Sequence, residues 1–265
     1  MAQYRLIDLS VPIEHNSPSE SNPPKIKYVS HEHGAQQMKL LFGADPSEFP
    51  SNGAGWAIEE LTVSTHAGTH IDAPYHYGKE SEGKPAKTID EVPLEWFHGD
   101  GVLLDFRHKK PGELITVKDL EEALKKIGYT VKPRDIVLLM TGADKYWGSS
   151  EYINAHPGLD REAVLWLVEK GVKVIGTDGW GLDRAFSAII EEYGKTKNGK
   201  IIWQAHFAGI EREYCQIEKL ANLDKIPKTY GFKVVAFPVK IKGASGSWAR
   251  VVAVIQENGD ACGIS

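Results

Sequence analysis

Ser64-Thr-His-Ala-Gly-Thr-His-Ile-Asp-Ala-Pro-Tyr-His-Tyr77 packs His66, His70, Asp72 and His76 into eleven positions. Only ten histidines occur in the 265 residues, so composition alone places less than one in such a window. All four polar side chains fall at even positions, which share one face of an extended segment. A helix would also align His66 with His70. Gly68 and Pro74 argue against it, because glycine weakens a helix interior and proline breaks one. The stretch reads as a strand end, Leu61 to Thr65, running into a glycine-bent loop.

Two imidazoles and a carboxylate converging on one point suit a borderline divalent cation such as Zn²⁺ or Mn²⁺. The plainer alternative is a polar loop whose histidines hydrogen-bond nearby backbone. Asp72 weighs against it, since a buried charge needs a partner.

The rest of the chain bounds the answer. Its 265 residues are enough for one sizeable domain, and no linker divides residues 1–265. Hydrophobic residues make up 42% and charged residues 25%, the balance of an ordinary soluble globule. A net charge of −5 gives no nucleic-acid surface. No apolar run reaches the length of a membrane span, and the first residues lack a signal-peptide pattern. Two cysteines, Cys215 and Cys262, make no disulfide framework, and a reduced cytoplasmic setting is the expectation.

In order, Tyr4 to Val11 reads as a first strand. Residues 13–55 are rich in Pro, Ser, Asn, Gly and His and read as irregular, either a covering flap or a surface insertion. Gly101 to Phe106 and Asp135 to Met140 are short apolar runs, read as buried strands. Between them, Thr116 caps a helix through Ile127 and Gly128 stops it. Asp160 caps the next helix, and Val172 to Thr177 is a strand that delivers Asp178. Trp180 and Asp183 follow in a turn-rich segment. Side chains at strand ends commonly line sites in α/β folds, so these three are candidate substrate contacts. A Trp180 packed on the scaffold is the alternative. Glu191 to Lys200 reads as solvated. Phe232 to Lys242 and Trp248 to Gln256 read as a hairpin with a longer loop. Strands and helices interleave incompletely, which predicts a mixed-sheet α/β domain.

Taken from the residues alone, further ligands are poorly ranked among His15, His31, His33, His98, His108, His156 and His206. The motif His66-x-Gly68-Thr69-His70-x-Asp72-x-Pro74-x-His76 resembles the signature of the cyclase-like metal-dependent hydrolases, which include bacterial kynurenine formamidase and isatin hydrolase. The resemblance extends to Asp8-Leu-Ser10, Thr141-Gly142 and Gly176 to Asp178. It also covers a histidine followed twelve residues later by Glu-x-Leu-x-Asn-Leu, here His206 and Glu218-Lys-Leu-Ala-Asn-Leu223.

Twelve helical residues rotate about 1,200°, leaving the two side chains roughly 120° apart. Glu218 is therefore expected on a strand after the segment that carries His206. The resemblance implies that His66, His70 and Asp72 bind a first metal. It implies that Asp72 and Glu218 bridge to a second, held also by His206, with His76 as proton donor and acceptor. It further implies a swivelling β/β/α fold and a homo-oligomer, a dimer or tetramer. The chain departs from the formamidases in being longer, around residues 13–55 and Glu191 to Trp203. The aromatic they place after the first strand has no match in Ile13 to Pro18.

These readings predict a hydrolase of a small amide, formamide, lactam or lactone, using one or two Zn²⁺ or Mn²⁺ ions to activate water. A cyclase or dehydratase on the same ligands and a non-catalytic metal-binding protein are the alternatives. No G-x-S-x-G elbow supplies a serine nucleophile, and Cys215 reads as packing.

Overall fold

The computed structural model describes residues 3–257; Cys262 and the first two residues lie outside them. Nine strands form one mixed sheet. Its centre is four parallel strands, His98–Asp105, Ile136–Met140, Val174–Thr177 and Cys215–Glu218. Helices occupy the connections between them, as parallel neighbours require. Tyr230–Val235, Val252–Glu257 and Gln3–Asp8 extend the sheet antiparallel on one side. His70–Asp72 and Gly246–Trp248 extend it antiparallel on the other.

Alternation along the central strands sorts the core into two layers. Leu103, Ile136, Leu138 and Ile217 belong to one. Val102, Leu104, Val137, Leu139 and Ile175 belong to the other, with the helical residues Leu120, Leu124, Val164, Leu167, Ala205 and Ala208. The sheet curls. Leu9 N–H reaches Val251 O and Ala249 N–H reaches Thr69 O, so segments from its opposite sides meet beside the motif. The mixed α/β class expected from the sequence is the one observed.

Among the described residues the α-helices are, in chain order, α1 (His31–Phe42), α2 (Pro74–Tyr77), α3 (Val117–Ile127), α4 (Arg161–Glu169), α5 (Phe186–Thr196) and α6 (Gln204–Glu211). Thr116 and Asp119 form a capping box on α3, and Gly128 closes it at φ 66°. Asp160 caps α4.

Three expectations need correction. Residues 13–55 are not irregular, for they contain the Lys25–Val29 strand and the twelve-residue α1. Ser30 caps α1 and the left-handed Gly43 ends it. Those end signals were in the sequence, but the helix lacks an apolar stripe because Leu40, Leu41 and Phe42 all stay exposed. The strand before the motif is Ile58–Thr62, not Leu61–Thr65, and among the described residues it pairs only with Lys25–Val29. It is exposed along its length, so it stands apart from the nine-stranded sheet. As expected, residues 191–200 are almost all exposed, and residues 191–196 continue α5. Finally, Tyr230–Val235 and Val252–Glu257 do pair, but their connection is more than a loop. Its residues Gly246–Trp248 add a strand to His70–Asp72.

Candidate metal centre

The site is assembled by strand register. His70 and Asp72 sit two residues apart on one strand and so share a face. Ile71 between them points into the core. On the neighbouring antiparallel strand Glu218 is paired directly with His70. Cross-strand partners hold their Cβ atoms about 4.5–5.5 Å apart. His70 Nε2 consequently lies 3.2 Å from Asp72 Oδ1 and 3.6 Å from Glu218 Oε2.

His66 precedes the strand in a turn that Gly68 makes possible at φ 62°. A Cβ on Gly246 would stand 2.8 Å from the His66 ring, so only glycine lets this strand come so close. The ring sits with Nδ1 2.6 Å from Asp72 Oδ1 and Nε2 2.9 Å from Ser245 Oγ.

His206 arrives from α6. Asp183 accepts from the Ala205 and His206 N–H groups at 2.9 and 3.2 Å, at the positive end of that helix. The same carboxylate holds His206 Nδ1 at 2.5 Å. Nε2 is thereby aimed at Asp72 Oδ2 and Glu218 Oε1, 3.6 and 3.5 Å away. Glu218 thus follows on a strand after the helix that bears His206.

His76 reaches the site differently from the extended path expected. Pro74 does not prevent a helix here but begins one, at the first position of α2, where its missing N–H costs nothing. The turn brings His76 Nε2 to 4.0 Å from Asp72 Oδ2. Tyr77 anchors this turn, its ring lying where a Cβ on Gly209 of α6 would be.

The residues fit a divalent cation on two structural grounds. Asp72 Oδ2 and His70 Nε2 are buried among donor atoms with no hydrogen-bond partner. Buried polar atoms are normally satisfied, so two orphans facing each other's cluster need an explanation. In addition, three imidazoles have one nitrogen held from outside and the other turned inward. Ser245 holds His66, the Gly68 carbonyl holds His70, and Asp183 holds His206. Metal-ligating histidines are oriented in this way. His66, Asp72 and His76 form one close donor group; His70, Asp72 and Glu218 form another that shares Asp72.

Electrostatics agree. Burial alone would lower the proton affinity of His206, yet the Asp183 and Asp72 carboxylates outweigh it and raise its pKa to about 10. Burial and the Asp72 charge push the Glu218 carboxyl up. The carboxylates therefore demand a positive charge. His76 goes the other way: burial pushes it down to about 4. Among the described residues no hydrogen bond holds its ring, which stacks on His66 at 4.1 Å and meets Trp203 edge-on at 5.3 Å.

A cavity of about 260 Å³ opens onto this cluster, lined among others by His66, His76, Trp180, Trp203, His206 and Glu218. Trp180 thus stands in the cavity wall, its indole N–H buried and unpartnered. Asp178 does not line it. Its carboxylate accepts from Thr141 N–H, Thr141 Oγ and Gly142 N–H, pinning that turn to the end of the Val174–Thr177 strand. Burial pushes its carboxyl up to about 7 despite these bonds. Asp183 is likewise turned to His206 rather than to the cavity. Sequence reasoning missed Ser245, Glu20 and Lys219. Their partners lie 179, 48 and 199 residues away in the chain, so no local spacing marks them.

Comparisons with known proteins agree with this architecture. Residues 7–184 match the family described as putative cyclase. A kynurenine formamidase of Bacillus cereus is 30% identical over 196 residues, covering 74% of this chain and 78% of that protein. An isatin hydrolase of Roseibium aggregatum is 28% identical over 222 residues, covering 79% of each. The structure of isatin hydrolase A from Ralstonia solanacearum superposes with a TM-score of 0.73 at 26% identity, covering 96% of this chain and 92% of that one. The chain therefore belongs to the cyclase family of metal-dependent hydrolases.

Proposed function

We propose that this protein hydrolyses an amide, formamide, lactam or lactone bond of a small, flat, cyclic or aromatic substrate. The observation that carries the reading is the convergence of five inward-facing donors beside one imidazole that nothing holds. His66, His70, Asp72, His206 and Glu218 would hold one or two divalent ions. Their nitrogen and oxygen donors suit Zn²⁺ or Mn²⁺. When bound, such an ion supplies a Lewis acid and lowers the pKa of a coordinated water from about 15.7 toward 7.

The chain's own groups do the rest. His76, neutral at pH 7, accepts the proton of the attacking water and returns it to the departing nitrogen or oxygen. Trp180 and Trp203 give the cavity flat apolar walls, which exclude water and orient a planar substrate. Asp183 keeps a proton on His206 Nδ1, so Nε2 is the nitrogen that would give up its proton to bind the ion.

A second reading has one observation in its favour. Ser245, His66 and Asp72 are aligned at 2.9 and 2.6 Å like a nucleophile, base and orienting acid. It leaves the orphaned His70 and Asp72 atoms unused, and we set it second. A cyclase or dehydratase would use the same ligands with water kept from the carbonyl. Self-association as a dimer or tetramer and a cytoplasmic setting complete the reading. The exposed Leu40, Leu41 and Phe42 of α1 support the first.

The test is a screen of formanilides, cyclic amides and lactones with metal-loaded and chelator-stripped protein. Loss of turnover on stripping and recovery with Zn²⁺ or Mn²⁺ is expected. Undiminished turnover after stripping would favour the serine reading. Intact metal with no turnover across the panel would favour a metal-binding protein without catalysis. No helix among the described residues is long and apolar enough to cross a membrane.

A further inference from the structure

Glu20 and Lys219 form an ion pair at 2.6 Å in which the side chains are only 5% and 3% exposed. Burying two charges costs several kcal/mol each, and an apolar pair of similar volume is often as stable. The pair's hydrogen bonds indicate what it does instead. Glu20 Oε1 accepts from the Gly68 N–H at 2.7 Å. Lys219 Nζ donates to the His66 carbonyl at 2.9 Å. Both charges thus grip the turn that sets His66 and His70.

Lys219 also follows Glu218 directly, with its backbone in the left-handed region at φ 58°. Its carbonyl accepts from Thr69 Oγ at 2.5 Å, and its N–H donates to Gly179 O at 3.0 Å. One residue therefore ties the end of the Glu218 strand to both sides of the Gly68 turn. Glu20 belongs to a loop fixed elsewhere, where Ser19 Oγ bonds Ser149 O and Gly148 N–H. Glu20 and Lys219 themselves stand in the cavity wall, beside Ser21 and Asn22.

We propose that Glu20 and Lys219 are positioning residues that clamp the His66–His70 turn against Glu218 and dock the residue 19–22 loop onto it. Metal affinity and substrate fit then depend on one buried pair. The proposal rests on the metal site described above. Neither side chain is a ligand; each acts through the backbone of the ligands.

The experiment measures Zn²⁺ affinity by competition with a chromophoric chelator, with circular dichroism as the check on folding. Glu20→Gln and Lys219→Met each leave a buried charge unpaired, so both stability and affinity fall. The double variant removes both charges and regains stability toward wild type. Its Zn²⁺ affinity is expected to stay roughly 10–100-fold weaker, the usual effect of losing an outer partner of a metal ligand. A merely structural pair would regain affinity together with stability. A folded double variant with wild-type affinity overturns the proposal. Should the double variant fail to fold, Glu20→Asp keeps both charges and shortens the reach by one methylene; unchanged affinity there overturns the proposal equally. Wild-type protein that binds neither Zn²⁺ nor Mn²⁺ overturns the metal site itself, and the role of the pair with it.

Discussion

Asp72→Ala is expected to bind no divalent metal and to show no turnover. The carboxylate is fully buried and central to the site. One oxygen lies 2.6 Å from His66 Nδ1 and 3.2 Å from His70 Nε2. The other lies 3.6 Å from His206 Nε2 and 4.0 Å from His76 Nε2. It is the only group common to both donor clusters among the described residues. Its loss leaves Glu218 as the remaining carboxylate facing the imidazoles. The effect should exceed the roughly 10–100-fold cost of losing an outer-sphere partner. Metal analysis after purification without chelator checks it. A stoichiometric ion retained by the variant would remove Asp72 from the site.

His76→Ala is expected to keep both fold and metal while losing on the order of 10²–10⁴ in rate, the usual worth of a positioned acid–base group. Three observations separate His76 from the proposed ligands. His66, His70 and His206 are each held by an outer hydrogen bond, whereas His76 has none. It stands furthest from Asp72 of the four. Its ring is exposed to the cavity, packed between His66 and Trp203. An unheld ring can turn between two proton partners. The close grouping of His76 with His66 and Asp72 is the competing observation. Metal content decides: an ion lost with the imidazole makes His76 a ligand, and near-normal turnover removes it from the mechanism.

The centre of the fold could be read from the sequence because its signals are local. Thr116 and Gly128 mark a helix within thirteen positions, and the apolar run Asp135 to Met140 is of strand length. The motif was equally plain, since His70 and Asp72 declare a shared face by their spacing. What could not be read depends on distant pairing. Gly246–Trp248 looked like part of a hairpin because its true partner, His70–Asp72, lies far away in the chain. Asp178 and Asp183 sit in one turn-rich segment with Trp180, yet only Trp180 faces the cavity. Asp178 is taken by the Thr141 turn and Asp183 by the start of α6. Nothing in the segment itself foretells those partners. The helix α1 was missed for a different reason, because its apolar end is not turned to any core. Proline was misjudged at Pro74, where the same ring that breaks a helix interior is suited to its first turn.

The most direct measurement is the mass of the product formed in ¹⁸O-labelled water from a cyclic amide or lactone. Metal-loaded protein is expected to give a product heavier by one water, with a single label in the new carboxylate. Chelator-stripped protein should give none. A product lighter by one water, or equal turnover without metal, would contradict a hydrolase built on His66, His70, Asp72, His206 and Glu218.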